Sequence, residues 1–185
     1  MNVIWLQRPE AAGELVYGEV DSPWGRVWSL WHDDALTTLA FVDSPEDVQK
    51  RFARAARLWR REPERILEDD ARLTDLAAIL RAWPGSSGAA MPTLEMVGSA
   101  FQQRVWRYLL RLDAGRCLTY GEVARHIGQP GAARAVGSAV GANPVPVLVP
   151  CHRVLPASGG TGHYGGGERR KRWLLNSEGV ALPGA

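Results

Sequence analysis

The chain has 185 residues, of which 45% are hydrophobic and 23% are charged, and its formal net charge is +2. This composition is typical of a soluble globular protein, and the length suits one large domain or two small ones. No apolar run approaches the roughly 18 residues of a membrane-spanning helix, so we expect no membrane-spanning helix and no membrane partner. The segment 1–9 is too short and polar for a secretory signal.

Cysteine and histidine spacing restricts the chemistry further. The two cysteines are Cys117 and Cys151, so we expect no disulfide framework and a reducing, cytoplasmic location. The sequence has neither a CxxC nor an HxxxH spacing, which predicts that no structural zinc is bound. We expect no metal and no cofactor.

Charge is distributed unevenly between the two halves. Residues 1–94 carry 11 basic and 15 acidic side chains, whereas residues 95–185 carry 11 basic and 5 acidic ones. A basic excess confined to the second half indicates a polyanionic partner for that half, although chance scatter of surface charge is an alternative.

The first half reads as short strands followed by helices. Three segments rich in β-branched and aromatic residues predict strands, and turn residues separate them: they are 15–20, 27–31 and 36–42. Ser44 is a candidate N-cap with Pro45 at the first helical position, and a second helix is expected over 73–83.

A linker and an acidic cluster complete this half. The stretch 84–90 is rich in Gly and Ser and is the best linker, so we expect domains at 1–90 and 91–185. The cluster Glu68-Asp69-Asp70 is interpreted as a solvated face rather than a metal site.

The second half is predicted to be more helical. Ser99 can cap a helix, and the capping box Thr119-Tyr120-Gly121-Glu122 opens a short one that reaches Ile127. The turn 128–131 and a third helix over 132–142 follow. A short helix, a tight turn and a second helix together indicate a helix-turn-helix.

The third helix has an unusual composition. Residues 132–142 include five alanines, two glycines and one serine, and Arg134 is their only charged residue. Small side chains allow close approach to a broad surface, and a lone arginine can enter a groove of DNA. A tightly packed inner helix with Arg134 in an ion pair is the structural alternative.

Cys151 is the strongest candidate for chemistry. It follows the proline-punctuated apolar run 144–149, which should hold it rigidly and away from water, and His152 offers a base beside it. Burial alone raises a thiol pKa, so another group must help to form thiolate. His152 needs an orienting acceptor, and the residues alone leave Glu168 and Glu178 open. Cys117 is interpreted as a small hydrophobe.

Six ordered motifs between Gly98 and Glu178 resemble the O6-alkylguanine-DNA alkyltransferases, which repair DNA by direct reversal. The motifs are Phe101-Gln102-Gln103 with Val105-Trp106, Thr119-Tyr120-Gly121-Glu122, Ala133-Arg134-Ala135-Val136-Gly137, Asn143-Pro144-Val145-Pro146, Val149-Pro150-Cys151-His152-Arg153-Val154, and Gly162 with Tyr164 and Gly166-Gly167. Residues 1–90 match loosely, through a strand-rich start with Ser22-Pro23-Trp24-Gly25.

The resemblance implies an α+β protein with a ribonuclease-H-like α/β domain that contains a small antiparallel sheet. A helical winged-helix or helix-turn-helix domain would follow it. The implied activity is single-turnover transfer of an alkyl group from O6-alkylguanine, and also from O4-methylthymine, to the protein. The implied partner is double-stranded DNA, bound in the minor groove by a monomer that flips the damaged nucleotide.

The same resemblance implies the catalytic residues. Cys151 would accept the alkyl group, His152 would take the thiol proton through a water molecule, and Glu178 would orient His152. Asn143 would brace the turn that holds the site, and Tyr120 would assist the departure of guanine.

The resemblance also implies binding residues. Arg134 would fill the space left in the duplex, from a helix surface formed by Ala133, Ala135 and Gly137. The substrate pocket would be lined by Val154, Tyr164, Gly165 and Val140. Some members carry a serine where this chain has Gly165, so only its backbone could contribute.

Two other functions are compatible with a cysteine beside a helix-turn-helix. A non-catalytic regulator or lesion-marking protein would bind DNA without accepting an alkyl group. A cysteine hydrolase would turn over many times and would need an oxyanion hole. The density of motifs favours the alkyltransferase.

Overall fold

A mixed sheet organises the first part of the chain. The computed structural model describes residues 1–10, 12–65, 70–85 and 88–182. The sheet strands are β1 (Val3–Leu6), β2 (Leu15–Ser22), β3 (Gly25–His32), β4 (Ala35–Phe41), β5 (Glu64–Arg65) and β6 (Thr93–Val97). They lie in the order β1-β6-β4-β3-β2-β5.

The three expected strands form the antiparallel centre of this sheet. Strand β3 pairs with β2 and β4, and its side chains from Val27 to His32 are buried. The sheet as a whole is mixed rather than a small antiparallel one, because β6 joins β1 and β4 in parallel and β5 joins β2 in parallel. Strands β1 and β6 were not predicted from the sequence. Their pairing joins residues about ninety positions apart, and so distant a partner leaves no local pattern.

Two helices accompany the sheet, and both were predicted. Helix α1 spans Pro45–Trp59, and the Ser44 hydroxyl accepts a hydrogen bond from Asp47 N at 3.3 Å. Its buried residues Ala55 and Trp59 pack in a core cluster with β-strand residues. Helix α2 spans Ala71–Ala82, two residues earlier than expected at its start.

Asp70 is the one residue of the acidic cluster that the structure describes. Asp70 caps α2 by accepting from Arg72 N at 2.8 Å, and its carboxylate also pairs with the Arg72 guanidinium at 2.8 Å. Glu68 and Asp69 lie outside the described residues. Asp70 is partly exposed and also has a capping role that the interpretation as a solvated face did not include, since N-cap positions favour short acidic side chains.

The chain divides into two compact units, Met1–Gly98 and Ser99–Ala185. The division falls after β6 rather than at 90/91, because β6 is hydrogen-bonded to β1 and β4 and so belongs to the first unit. The expected linker 84–90 includes residues 86–87, which lie outside the described part of the chain.

Helices dominate the second unit. They are α3 (Ala100–Leu109), α4 (Tyr120–His126), α5 (Ala133–Gly141) and α6 (Glu168–Ser177). The predicted caps are confirmed: Ser99 forms a capping box with Gln102, and Thr119 forms one with Glu122. The Trp106 indole N–H donates to Ala139 O at 2.8 Å and ties α3 to α5.

Two short strands position the segment that carries Cys151. Strands β7 (Leu118–Thr119) and β8 (Val154–Leu155) pair in parallel, with Leu118 opposite Val154. Strand β7 leads directly into α4, and β8 directly follows the 3-10 turn Cys151–Arg153. This pairing therefore holds the start of α4 close to the turn that carries Cys151. Within the described residues, every helix is too short or too polar to cross a membrane.

Candidate active site

A strained turn presents Cys151. The Asn143 side chain bridges this turn: its Nδ2 donates to Val149 O at 2.8 Å, and its Oδ1 accepts from Val145 N at 3.1 Å. Val147 has a φ of +75° and is fully buried. A β-branched residue in this left-handed region is strained, and such strain persists only where the surroundings enforce it. Asn143 and the buried packing of the turn supply that constraint.

Cys151 begins the 3-10 turn and is only 4% exposed. Burial raises the pKa of the Cys151 thiol, because a thiolate loses its hydration there. Three neighbouring side chains act in the opposite direction and favour thiolate: a hydrogen bond with Asn143, the positive charge of Lys171 and the hydroxyl of Tyr164. The sequence-based expectation of a rigid, shielded cysteine agrees with this environment.

His152 is held by a carboxylate from the end of α6. Its Nε2 lies 2.9 Å from Glu178 Oε1, and both side chains are inaccessible to solvent. Burial lowers the pKa of His152 more strongly than Glu178 raises it, so the ring is neutral near pH 7. Glu168, the alternative partner, lies at the start of α6 and pairs with Arg172 at 3.0 Å.

Glu178 accepts from several donors at once. Besides His152, Arg153 donates through Nε to Oε2 at 2.8 Å and through Nη2 to Oε1 at 2.7 Å. The Gly115 backbone N–H donates to Oε2 at 3.1 Å. Although burial opposes ionisation, hydrogen bonds from His152 and Arg153 lower the pKa of Glu178 to about 2. The carboxylate is therefore ionised throughout the physiological range.

Lys171 places a buried positive charge beside the thiol. Its side chain is 1% exposed, and Nζ donates to Val154 O at 2.7 Å and lies 5.9 Å from the centre of the Tyr164 ring. Burial lowers the pKa of Lys171 to about 8, although the nearby Cys151 and Cys117 act to raise it. Near pH 7 the amine is still mainly protonated and favours thiolate.

Two tyrosines border the cysteine. Tyr164 is buried, and its hydroxyl makes no hydrogen bond of good geometry within the described residues, although it lies near enough to the thiol to influence it. Tyr120 is half-buried at the start of α4. Burial first, and the neighbouring Cys151 second, raise the pKa of both phenols, so both keep their protons at neutral pH.

The remaining residues of the expected pocket differ in accessibility. Val154 is fully buried and contributes its carbonyl to Lys171, and Val140 is buried on α5. Gly165 is exposed, and a Cβ built on it would have no neighbour within 4 Å. A serine at this position would therefore fit without displacing any described atom.

Helix α5 turns small residues and one arginine outward. Arg134 and Ala135 are exposed, and Ala133 and Gly137 are partly exposed. Gly137 also faces Tyr120, since a Cβ built on it would lie 3.8 Å from Tyr120 Cδ1. No carboxylate of the described residues forms an ion pair with Arg134, so the inner-helix alternative with a paired arginine does not apply.

Three residues of the site were missed by sequence reasoning. Arg153 lies in one of the six motifs, but no functional role was predicted from the sequence for it or for Gly115. Lys171 was hidden in the basic run 169–172, which resembles a solvated helix face. Its spacing of three and four from the buried Leu174 and Leu175 was the available signal that it faces inward. Among the described residues, no group of three or more His, Cys, Asp and Glu side chains could hold a metal ion.

Comparison with known proteins identifies the class to which this arrangement belongs. The family model for the DNA-binding domain of 6-O-methylguanine DNA methyltransferase matches residues 100–180. A methylated-DNA–protein-cysteine methyltransferase of Mycobacterium bovis is 38% identical over 167 residues, which are 90% of this chain and 94% of the relative.

Solved structures of similar proteins support the same family assignment. The crystal structure of Mycobacterium tuberculosis O6-methylguanine methyltransferase aligns with a TM-score of 0.67 and 35% identity, covering 92% of this chain and 96% of that one. The structure of M. tuberculosis OGT in complex with DNA aligns with a TM-score of 0.67 and 37% identity, covering 88% and 91%. The chain belongs to the methylated-DNA–protein-cysteine methyltransferase family.

Proposed function

We propose that this protein repairs O6-alkylguanine in double-stranded DNA by transferring the alkyl group to Cys151 once per molecule. The observation that carries the proposal is the buried Cys151 thiol, which Asn143 and the Lys171 charge shift towards thiolate and which precedes His152, a base held by Glu178. A thiolate is the nucleophile that an alkyl carbon requires. The DNA-bound M. tuberculosis relative supports DNA as the partner.

Proton transfer from the thiol is assigned to His152. Because Nε2 contacts Glu178, the exchange with Cys151 takes place at Nδ1, through a water molecule. The neutral ring accepts the proton, and the ionised Glu178 stabilises the imidazolium that forms. Lys171 and Asn143 stabilise the thiolate that remains.

Displacement then follows at the alkyl carbon. A sulfur lone pair forms the C–S bond while the bond between carbon and guanine O6 breaks, and that electron pair returns to the purine. Tyr120 keeps its proton because burial raises its pKa, so its hydroxyl can donate to the departing guanine. Overall one proton passes from the thiol to the guanine: Tyr120 protonates the departing base, and the imidazolium of His152 releases to water the proton that replaces the one lost by Tyr120. The thioether is stable, so the protein acts as a stoichiometric reagent.

Access to the carbon requires the nucleotide to leave the base stack. We propose that α4, the turn after it and α5 form a helix-turn-helix within a winged-helix domain, and that α5 enters the minor groove. The exposed small residues of α5 allow close approach, and Arg134 fills the gap left by the flipped nucleotide. The unpairing costs about a few kcal/mol, which groove contacts would offset.

Further details are part of the same proposal. The pocket formed by Val154, Tyr164, Gly165 and Val140 takes the flipped base, and O4-methylthymine is a second substrate. The first unit is a ribonuclease-H-like domain, and the protein acts as a cytoplasmic monomer.

The test is the stoichiometry of repair. The protein is incubated with excess duplex oligonucleotide bearing one O6-methylguanine, and restored guanine is quantified. We expect about one guanine per protein molecule, and none with Cys151→Ala, which should still bind the duplex. Repair well beyond one equivalent would indicate a turnover enzyme, and binding without repair would indicate a lesion-marking protein.

A further inference from the structure

Helix α1 of the first unit carries a dense group of basic residues that the proposed function does not use. Six of the 11 basic side chains in residues 1–94 lie within 50–61, and this stretch contains no acidic residue. The other residues of that half have five basic side chains against 15 acidic ones. Four of the six lie in α1, which ends at Trp59, and the other two follow it directly, so the positive charge is concentrated in one short stretch of an acidic half.

The geometry of α1 places these charges in a row on the solvent side. Lys50, Arg54 and Arg57 recur at intervals of four and three, so they share one face of the helix, and all three are exposed. The row is about 10 Å long at the helical rise per residue. The opposite face is anchored, because Ala55 and Trp59 are buried in the core of the unit.

The row borders an open groove of about 560 Å³. Arg51, which is partly buried, and Asp47 also line this groove. Burial, reinforced by the nearby charge of Arg54, lowers the pKa of Arg51. Like charges crowd one another here, and like charges at a spacing of three or four residues disfavour a helix.

Little acidic charge balances the row. Lys50 lies 3.6 Å from Asp47, whereas Arg54 and Arg57 have no ion pair with any described residue. The helix dipole favours cations in the last turn only, where Arg57 alone lies. Helix stability therefore does not account for Arg54, and an external anion would.

We propose that Lys50, Arg54 and Arg57 form a second phosphate-binding surface, on the first unit, for the backbone of duplex DNA. Guanidinium groups match phosphate oxygens through paired hydrogen bonds. One strand presents a phosphate about every 3.4 Å along the axis, so a row of about 10 Å spans roughly three. The inference rests on the proposed function only in taking DNA as the partner.

An anionic membrane fits this helix less well. Helices that lie on membranes turn an apolar face outward, whereas the apolar residues Phe52 and Trp59 of α1 pack inward, against Tyr17 and His32 respectively. Leu58 is the exposed exception. Single-stranded RNA lacks the fixed phosphate spacing of a duplex. Both serve as competing ligands in the test.

The experiment compares two triple variants of the full chain. Lys50→Gln with Arg54→Gln and Arg57→Gln removes the row. Arg8→Gln with Arg65→Gln and Arg81→Gln removes three exposed cations elsewhere in the same unit. Binding to an undamaged 40-base-pair duplex is measured over a range of salt concentrations, and melting temperatures confirm that each variant folds.

We expect the row variant to bind the duplex at least several-fold more weakly. Its slope of log affinity against log salt should fall by about 2 to 3, since each phosphate contact contributes roughly 0.9. The control variant should keep nearly the parent slope. Equal slopes in the two variants would overturn the proposal, as would a selective loss of binding to anionic vesicles or to single-stranded RNA with duplex binding retained.

A second readout separates this proposal from the first. The rate of Cys151 alkylation by the free base O6-methylguanine should be equal in the parent and the row variant, because the base carries no phosphate. If the parent accepts no alkyl group but the row variant still loses duplex affinity, the surface stands and the proposed repair activity fails.

Discussion

Glu178 binds Arg153 and His152, two residues adjacent in sequence, with the same carboxylate. Arg153 donates to both Glu178 oxygens at 2.8 and 2.7 Å, while His152 Nε2 lies 2.9 Å from Oε1. Arg153 also donates through Nη1 to Leu112 O. The base of the proposed mechanism is therefore fixed through a buried ion pair rather than by packing alone.

Replacement of Glu178 by Gln should be strongly destabilising. The amide leaves the buried Arg153 without a counter-charge, a change that typically costs about 3–5 kcal/mol. Denaturant unfolding measures the loss. Glu168→Gln is the matched control at the exposed start of the same helix, where the pair with Arg172 is open to solvent. Similar unfolding free energies for the two variants would contradict this account of the ion pair.

The lowered pKa of Glu178 predicts how the stability of the folded protein depends on pH. The pKa of Glu178 is lowered from 4.5 to about 2 in the folded protein, so the unfolded chain binds the proton more readily. This stabilisation is complete above about pH 5 and is lost as the pH falls towards 2. Burial also lowers the pKa of His152, which acts in the same direction. Unfolding free energies measured from pH 6 to 2 should fall less in Glu178→Gln than in the parent.

Lys171→Met should make the thiol less reactive. Without the adjacent ammonium the pKa of Cys151 rises further, so the rate of alkylation by iodoacetamide should fall and its pH profile should move to higher pH. In the parent the effect fades above about pH 8, where Lys171 loses its proton. The control is Arg169→Met, an exposed cation on the same helix. An unchanged pH profile in Lys171→Met would show that the ammonium does not act on the sulfur.

Gly115→Ala should destabilise the second unit. Gly115 has a φ of +79°, and an added Cβ would lie 3.0 Å from Glu178 O. The left-handed backbone alone costs about 1–2 kcal/mol for a residue with a side chain. Gly165→Ala is the control, since it meets no atom within 4 Å and has no positive φ. Melting temperatures should fall for the first variant only, and an equal fall in both would refute the argument.

Arg134→Ala should impair repair of duplex DNA more than alkylation by the free base. Its proposed role is to hold the flipped state, which the free base does not require. The measurement is the ratio of the two single-turnover rates, compared with Arg125→Ala, an exposed arginine on the preceding helix α4. Equal losses on both substrates in Arg134→Ala would contradict a role in flipping.

Local signals predicted much of the fold. Ser44, Ser99 and Thr119 were identified as caps because short hydroxyl side chains satisfy the first free N–H groups of a helix within three residues. Strands β1 and β6 were missed because their pairing joins residues 3–6 to 93–97, and such a distant partner leaves no periodic pattern in either segment.

The active site could also be predicted only in part, because several of its contacts join residues that are far apart in the sequence. The apolar run before Cys151 indicated a shielded cysteine, and the resemblance selected Glu178. The inward position of Lys171 depends on how α6 packs, and the surrounding arginines masked it. The hydrogen bond from Gly115 N–H to Glu178 joins residues 63 positions apart. Only the tertiary structure brings these two residues together.

The identity of the alkylated atom tests the central claim most directly. Burial raises the pKa of both thiols, and the two cysteines differ in their other neighbours: hydrogen bonds with Asn143 and Tyr164 favour the thiolate of Cys151, whereas the Glu178 charge opposes the thiolate of Cys117. The protein is incubated with a duplex containing O6-methylguanine, and intact-mass analysis is followed by peptide mapping. We predict one added methyl group, located on Cys151. A methyl group on Cys117 or another residue, or an unmodified protein after repair, would contradict the account.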